Sequence, residues 1–266
     1  MKIALPLAAV VLGISLCAAA SAEDTSAPLP IKHMQWSFDG PFGTYDQASL
    51  QRGFQIYKEV CSACHSLNLV AFHDLAAPGG PGFTEAQAKA IAAGYKIPAE
   101  PNEQGEIFDA KGNRLTRPGI LADHFPPPFP NEQAARLAFG GALPPDLSLI
   151  VKARAGGPNY VYSILTGFAQ RPPKGFKVLD GKFYNPYFPG RNISMPPPLM
   201  DGTVTFSDGT PNNVAQEAHD VVTFLSWASE PNLDQRHRMG LEVMAFLVLL
   251  SGLLFLSYRK IWKDEH

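Results

Sequence analysis

Cysteine is scarce in this chain. It has three in 266 residues, Cys17, Cys61 and Cys64. Cys17 falls in an N-terminal stretch with the marks of a cleaved leader, so the mature chain keeps two cysteines with only two residues between them. No distant pair remains to build a disulfide framework. A zinc site would want two more Cys or His at matching spacing, but there is no second cysteine pair, and His33, His73, His124, His219, His237 and His266 are scattered. Excess positive charge is also lacking. Lys and Arg number 22 against 24 Asp and Glu, a net charge of −2, which leaves no footprint for nucleic acid. Arginine is absent before Arg52, unlike an Arg-rich mitochondrial transit peptide. Internal repeats are absent as well. Apolar residues are not lacking: at 45% of the chain they exclude wholesale disorder.

Glycine and proline are in excess. The 23 Gly and 25 Pro make 48 of the 266 residues, above the usual ~12%, which predicts a folded domain with long irregular loops. Both ends carry targeting or anchoring signals. Lys2, the apolar residues 3–16 and Ala20-Ser21-Ala22 read as a signal peptide cut before Glu23. Leu16 is too large to precede a lipoprotein cysteine at Cys17. Near the C-terminus, Gly240 to Tyr258 is apolar over 19 residues, about 28 Å as a helix and close to the ~30 Å of a hydrocarbon core. Glu242 sits near one end, Tyr258 and Trp262 flank the other, and Arg259, Lys260 and Lys263 follow. The expected layout is a signal peptide over 1–22, a periplasmic domain over 23–238, a membrane anchor over 239–258 and a cytoplasmic tail over 259–266. The expected location is a bacterial cytoplasmic membrane.

Leu50, Phe54, Tyr57, Cys61 and Cys64 recur at three- and four-residue spacing, which predicts a helix from about Asp46 to Cys64. Thr84 as a cap and Gly94 as a stop predict a second over 84–93. Residues 95–131 read as loop. A helix is predicted over Asn131–Phe139, another from Pro145 toward Arg154, and another capped by Asn159 and running to Thr166. Asp180-Gly181 and Asp208-Gly209 are turn signals for a small hairpin or two. The final helix of the exported domain is predicted over Asn213–Ser229, with Val214, Ala218, Val221, Val222 and Leu225 on its apolar face and Pro231 beyond its end. The class is mostly α, loop-rich, with minor β.

Cys61-Ser62-Ala63-Cys64-His65 is a C-x-x-C-H sequence. Two thiols at this spacing can add to the two vinyl groups of one porphyrin, and the adjacent His then donates a ring nitrogen to the iron. A thioredoxin-like redox pair would lie in a βαβ setting rather than at the end of a long helix. The motif therefore points to one covalent haem c. An electron-transfer haem is helped by a second strong axial ligand, commonly Met. Met34 precedes the first helix and Met239 lies at the membrane edge. Met195 stands before Pro196-Pro197-Pro198, whose restricted dihedrals can hold a ligand loop rigidly. It is the preferred sixth ligand, with Met200 next and His124 as the first histidine alternative.

These residues resemble the cytochrome c1 family, the haem c subunits of the cytochrome bc1 complex (ubiquinol–cytochrome c reductase), of bacterial type. The resemblance runs through Arg52 to Cys61, Gly141-Ala142-Leu143-Pro144-Pro145-Asp146-Leu147-Ser148, Tyr184-Asn185-Pro186-Tyr187-Phe188-Pro189-Gly190, the methionine loop, Phe224 to Pro231, and Arg238-Met239-Gly240. It implies a class I cytochrome c-like haem domain with His65 and Met195 as iron ligands and Cys61 and Cys64 as covalent links. It implies that Arg154 and Tyr160 face a haem propionate and that Pro144 packs near the ring. The implied role is a one-electron relay without catalysis of its own, from a Rieske iron–sulfur protein to a soluble cytochrome c, beside cytochrome b in a dimeric membrane complex. Three other roles remain open: an anchored cytochrome serving a terminal oxidase, a haem enzyme or sensor with an open sixth position, and a non-redox structural module that uses Cys61, Cys64 and His65 for a metal. Residues 76–117 carry no part of the resemblance. Glu100, Glu103, Glu106 and Asp109 there could attract a basic cytochrome c, but a solvated loop is the preferred reading.

Overall fold

Asp46 starts the first helix, α1 (Gln47–Glu59), by accepting a hydrogen bond from the Ser49 N–H at 3.0 Å. Leu50, Phe54 and Tyr57 point inward from it, as their spacing predicts. The helix ends earlier than expected. Past Val60 the chain tightens into a 3-10 turn over Cys61–Ala63, and the N–H groups of Cys64 and His65 both reach the Cys61 carbonyl, at 3.1 and 2.9 Å. The computed structural model describes residues 27–264. The expected signal peptide, its cleavage site and Cys17 lie outside the described residues.

Two capped helices follow as predicted. In α2 (Glu85–Ala93), Thr84 accepts from the Gln87 N–H while Gln87 accepts from the Thr84 N–H. In α3 (Glu132–Ala138), Asn131 accepts from the Ala134 N–H. Between them, part of the segment read as loop forms an antiparallel ladder, β1 (Lys96–Pro98) against β2 (Thr116–Pro118). The helix predicted from Pro145 to Arg154 does not form; turns occupy that stretch. The Asp146 side chain draws the Ser148 N–H at 2.8 Å, a local bond that competes with helical ones.

The next helix, α4 (Gly157–Gly167), starts before Asn159, and its cap is Gly156 at φ +88°. Only glycine enters that left-handed region without strain. The Asn159 side chain is used elsewhere: its Oδ1 accepts from the Met34 N–H at 3.0 Å and the Trp36 indole N–H at 2.9 Å, fastening the N-terminal strap across α4. One short hairpin-like pair forms, β3 (Phe183–Tyr184) with β4 (Asn192–Ile193), Phe183 opposite Ile193. Asp208-Gly209 makes a turn without strands, and Asp208 ion-pairs with Arg52 at 2.8 Å.

The helix α5 (Val214–Ser229) carries Asn213 as its cap and buries Ala218, Val221, Val222 and Leu225 as predicted, with Phe224 and Trp227 in addition. It crosses α1 at close range. A Cβ on Gly53 would lie 2.1 Å from the Asp220 carbonyl oxygen, so the crossing requires glycine. Beside it, Arg52 Nε meets the fully buried Asp220 carboxylate at 2.6 Å. Phe54, Tyr57, Phe72, Phe125 and Phe224 pack around this crossing, Phe72 and Phe125 with centroids 4.4 Å apart.

The last helix, α6 (Leu233–Ile261), has 29 residues, about 43 Å at 1.5 Å per residue. Among the described residues it is the one helix long and apolar enough to cross a membrane, and its apolar window is not buried against the rest of the chain. It begins before the predicted anchor. The polar turn Asp234–Arg238 belongs to the same helix, because hydropathy marks the apolar span and not the backbone hydrogen bonds that lead into it.

Candidate functional site

A cavity of about 520 Å³ opens between the end of α1, the 139–147 segment, α4, the 193–198 loop and α5, within the ~300–1,000 Å³ usual for cofactor pockets. Its walls are mainly apolar, with Leu147, Ile150, Val161, Ile164, Val221 and Leu225 among them. All seven residues singled out from the sequence line it: Cys61, Cys64, His65, Pro144, Arg154, Tyr160 and Met195.

The 3-10 turn gathers the first three. Neither cysteine is in a disulfide. Burial, with a smaller contribution from Cys64, pushes the Cys61 thiol up to about 12, and burial also raises Cys64. The His65 ring is held below its ordinary range by burial, against the opposing pull of the Pro145 carbonyl and the Asp146 charge. Burial thus favours the neutral form of all three groups. His65 Nδ1 lies 2.8 Å from the Pro145 carbonyl oxygen. A carbonyl only accepts, so Nδ1 carries the proton and Nε2 keeps its lone pair for a metal.

Met195 reaches the cavity from the proline loop. That loop is anchored by the β3–β4 pair and by Lys182, whose ammonium donates to Ser194 Oγ at 2.6 Å. Behind it, the fully buried Asn185 donates to the Ile164 carbonyl at 2.8 Å and accepts from the Tyr187 N–H, tying the loop's base to α4. The alternatives lie elsewhere. Met200 is 69% exposed, the exposed His124 pairs through its backbone with Ala71, and neither lines the cavity. Among the described residues, His65 and Met195 are the only histidine and methionine that do.

Arg154 is exposed, and the only hydrogen bond of its guanidinium among the described residues goes to the neighbouring Ala153 carbonyl. Tyr160, in the first turn of α4, is raised above the ordinary phenol range by burial, against the opposing charge of Arg154. Sequence reasoning missed Asp146 and Asn185, which hold the walls without facing the cavity; both stand inside the segments that carry the family resemblance, and that was the available signal.

Two thiols, an imidazole with its distal nitrogen free, and a thioether around one apolar cavity are the donor set that a covalent haem uses. Fold and site together define a c-type cytochrome, mainly helical with minor strands. The chain belongs to the Cytochrome C1 family, which matches residues 36–265. It is 45% identical to "Cytochrome c1" of Rhodospirillum rubrum over 97% of this chain and 96% of that protein. It is 49% identical to "Cytochrome c1, heme protein, mitochondrial" of Saccharomyces cerevisiae over 85% of this chain and 68% of that one. It is 48% identical to "Cytochrome b/c1" of Bradyrhizobium diazoefficiens over 87% of its own length, and there it spans about a third (35%) of the relative.

Proposed function

We propose that this chain is the haem c subunit of a quinol–cytochrome c reductase. It stands between a Rieske iron–sulfur protein and a soluble cytochrome c, beside cytochrome b in a dimeric complex, with its head on the periplasmic side of a bacterial inner membrane. Haem supplies a one-electron couple; the chain's residues bind and tune it. Cys61 and Cys64 are the covalent links. His65 Nε2 and the Met195 thioether would be the side-chain donors to the iron. Arg154 and Tyr160 would bind a propionate, with which a guanidinium can make a two-pronged contact, and Pro144 would pack near the ring. No residue acts as general acid or base, and the quinol chemistry belongs to cytochrome b.

The convergence of all seven residues on one cavity carries this reading. The names of the relatives support the placement beside cytochrome b. Two rigid donors also favour little rearrangement between oxidation states. Met195→Leu tests the assignment. The midpoint potential is expected to fall, because the soft thioether favours ferrous iron, and carbon monoxide is expected to bind. An unchanged potential would overturn the role of Met195. Purification in mild detergent tests the wider placement: a c-type spectrum accompanied by b-type haem and reducible by quinol is the expected result. A c-type haem alone that binds carbon monoxide in the unmutated protein would move the function to a haem enzyme or sensor.

A further inference from the structure

The His65 ring is aimed by one hydrogen bond, Nδ1–H to the Pro145 carbonyl at 2.8 Å. Pro145 has no N–H of its own with which to fix its position. What fixes it is the next residue. Asp146 Oδ2 accepts from Ser66 Oγ at 2.7 Å and from the Asn68 N–H at 2.9 Å, and Oδ1 accepts from the Ser148 N–H at 2.8 Å. A carboxylate that only closed its own turn would need only the last of these. The other two reach the segment that leaves His65. The Leu147 N–H to Ser66 carbonyl bond (2.9 Å) and the Leu69 N–H to Ser148 Oγ bond (3.0 Å) stitch the same two segments together. The carboxylate thus bolts the strand of chain that carries the acceptor onto the strand that carries the donor.

We propose that Asp146 is a positioning residue for His65: by clamping 144–148 onto 65–69 it sets the Nδ1–H···O=C bond and, through it, how strongly His65 donates to the iron. The inference rests on the haem assignment above. A firm bond from Nδ1–H makes the imidazole a stronger donor, which favours ferric iron and holds the potential down. The negative charge of Asp146 acts in the same sense, so a useful test must separate charge from position.

Asp146→Asn removes the charge and weakens the clamp. Ser66→Ala removes one clamp bond and leaves the charge. Both are made in the full-length, membrane-bound protein. The readouts are the midpoint potential and the low-spin ferric EPR signal, whose g anisotropy reads the axial ligand field. Both variants are expected to raise the potential and shift the EPR signal, Asp146→Asn more than Ser66→Ala. A raised potential in Asp146→Asn with Ser66→Ala at parental values in both readouts would mean that charge alone matters, and would overturn the proposal. Parental values in both variants would overturn it too. If Asp146→Asn accumulates no haem-bearing protein, Ser66→Ala decides by the same two readouts. A parent protein without a His/Met c-type signature would overturn the haem assignment itself, and this inference with it.

Discussion

Glu217 and Asp220 sit one turn apart on α5, both without exposed surface, and they are shifted in opposite directions. Glu217 Oε1 accepts from the Val204 N–H at 3.1 Å, while Oε2 has no partner among the described residues. Burial, with help from Asp201, holds this carboxyl above the ordinary 4.5. Burial opposes the charge on Asp220 as well, but bonds from His219, Arg52 and Gln216 outweigh it and hold the group below 3.8. The consequences for stability have opposite signs. Glu217 binds its proton more tightly folded than unfolded. Its contribution is complete below about 4.5 and is lost as pH rises from there through its raised folded value. The Asp220 contribution is present above about 3.8 and is lost as pH falls through its lowered folded value. Glu217→Gln keeps the Val204 contact and cannot ionise. Denaturant midpoints from pH 4.5 upward are expected to fall less steeply with pH in this variant than in the parent; parallel slopes would show that Glu217 is ionised in the fold.

At the scale of elements, the α1–α5 crossing holds the C-x-x-C-H turn in place, because α1 delivers the turn and α5 lines the cavity behind it. Arg52→Ala would leave the buried Asp220 without its cation and is expected to cost about 3 kcal/mol. Gly53→Ala would drive a methyl into the α5 backbone and is expected to cost about 1–3 kcal/mol by overpacking. Both are measured as losses in denaturant stability. The elements also show what the sequence makes legible. Thr84 acts where its cap is read, and the helices expected to begin at Asn131 and Asn213 start there, because a cap bond spans three residues and is written locally. The C-x-x-C-H motif and Met195 are picked out of the sequence for the same reason, as short patterns with a chemical meaning, and both line the cavity. Asn159 is misread as a cap because its partners, Met34 and Trp36, lie more than a hundred residues away. The helix after Pro145 is misread because apolar spacing does not reveal that the Asp146 side chain takes the Ser148 N–H and ties this stretch to Ser66 and Asn68. The β1–β2 ladder is missed because three-residue strands are too short to show alternation.

At the scale of the molecule, the head and the anchor meet at the root of α6. The Tyr45 N–H donates to Asp234 Oδ1 at 3.2 Å, His237 Nδ1 lies 2.8 Å from the Gly43 carbonyl, and Glu230 receives both Lys152 and Arg236. A chain ended after Arg238 keeps all of these contacts. It is expected to be soluble without detergent and to retain the c-type spectrum of the parent. A chain ended after Asn232 loses the Asp234 and His237 contacts and is expected to melt at a lower temperature. Equal melting temperatures would show that the root adds nothing to the head. The fastening falls on the first turn of α6, at Asp234, Arg236 and His237, where the apolar span has not yet begun. The same turn therefore belongs to two structures at once, closing the folded part of the chain and opening its apolar span, so a substitution at Asp234 or His237 is expected to register in the stability of the former.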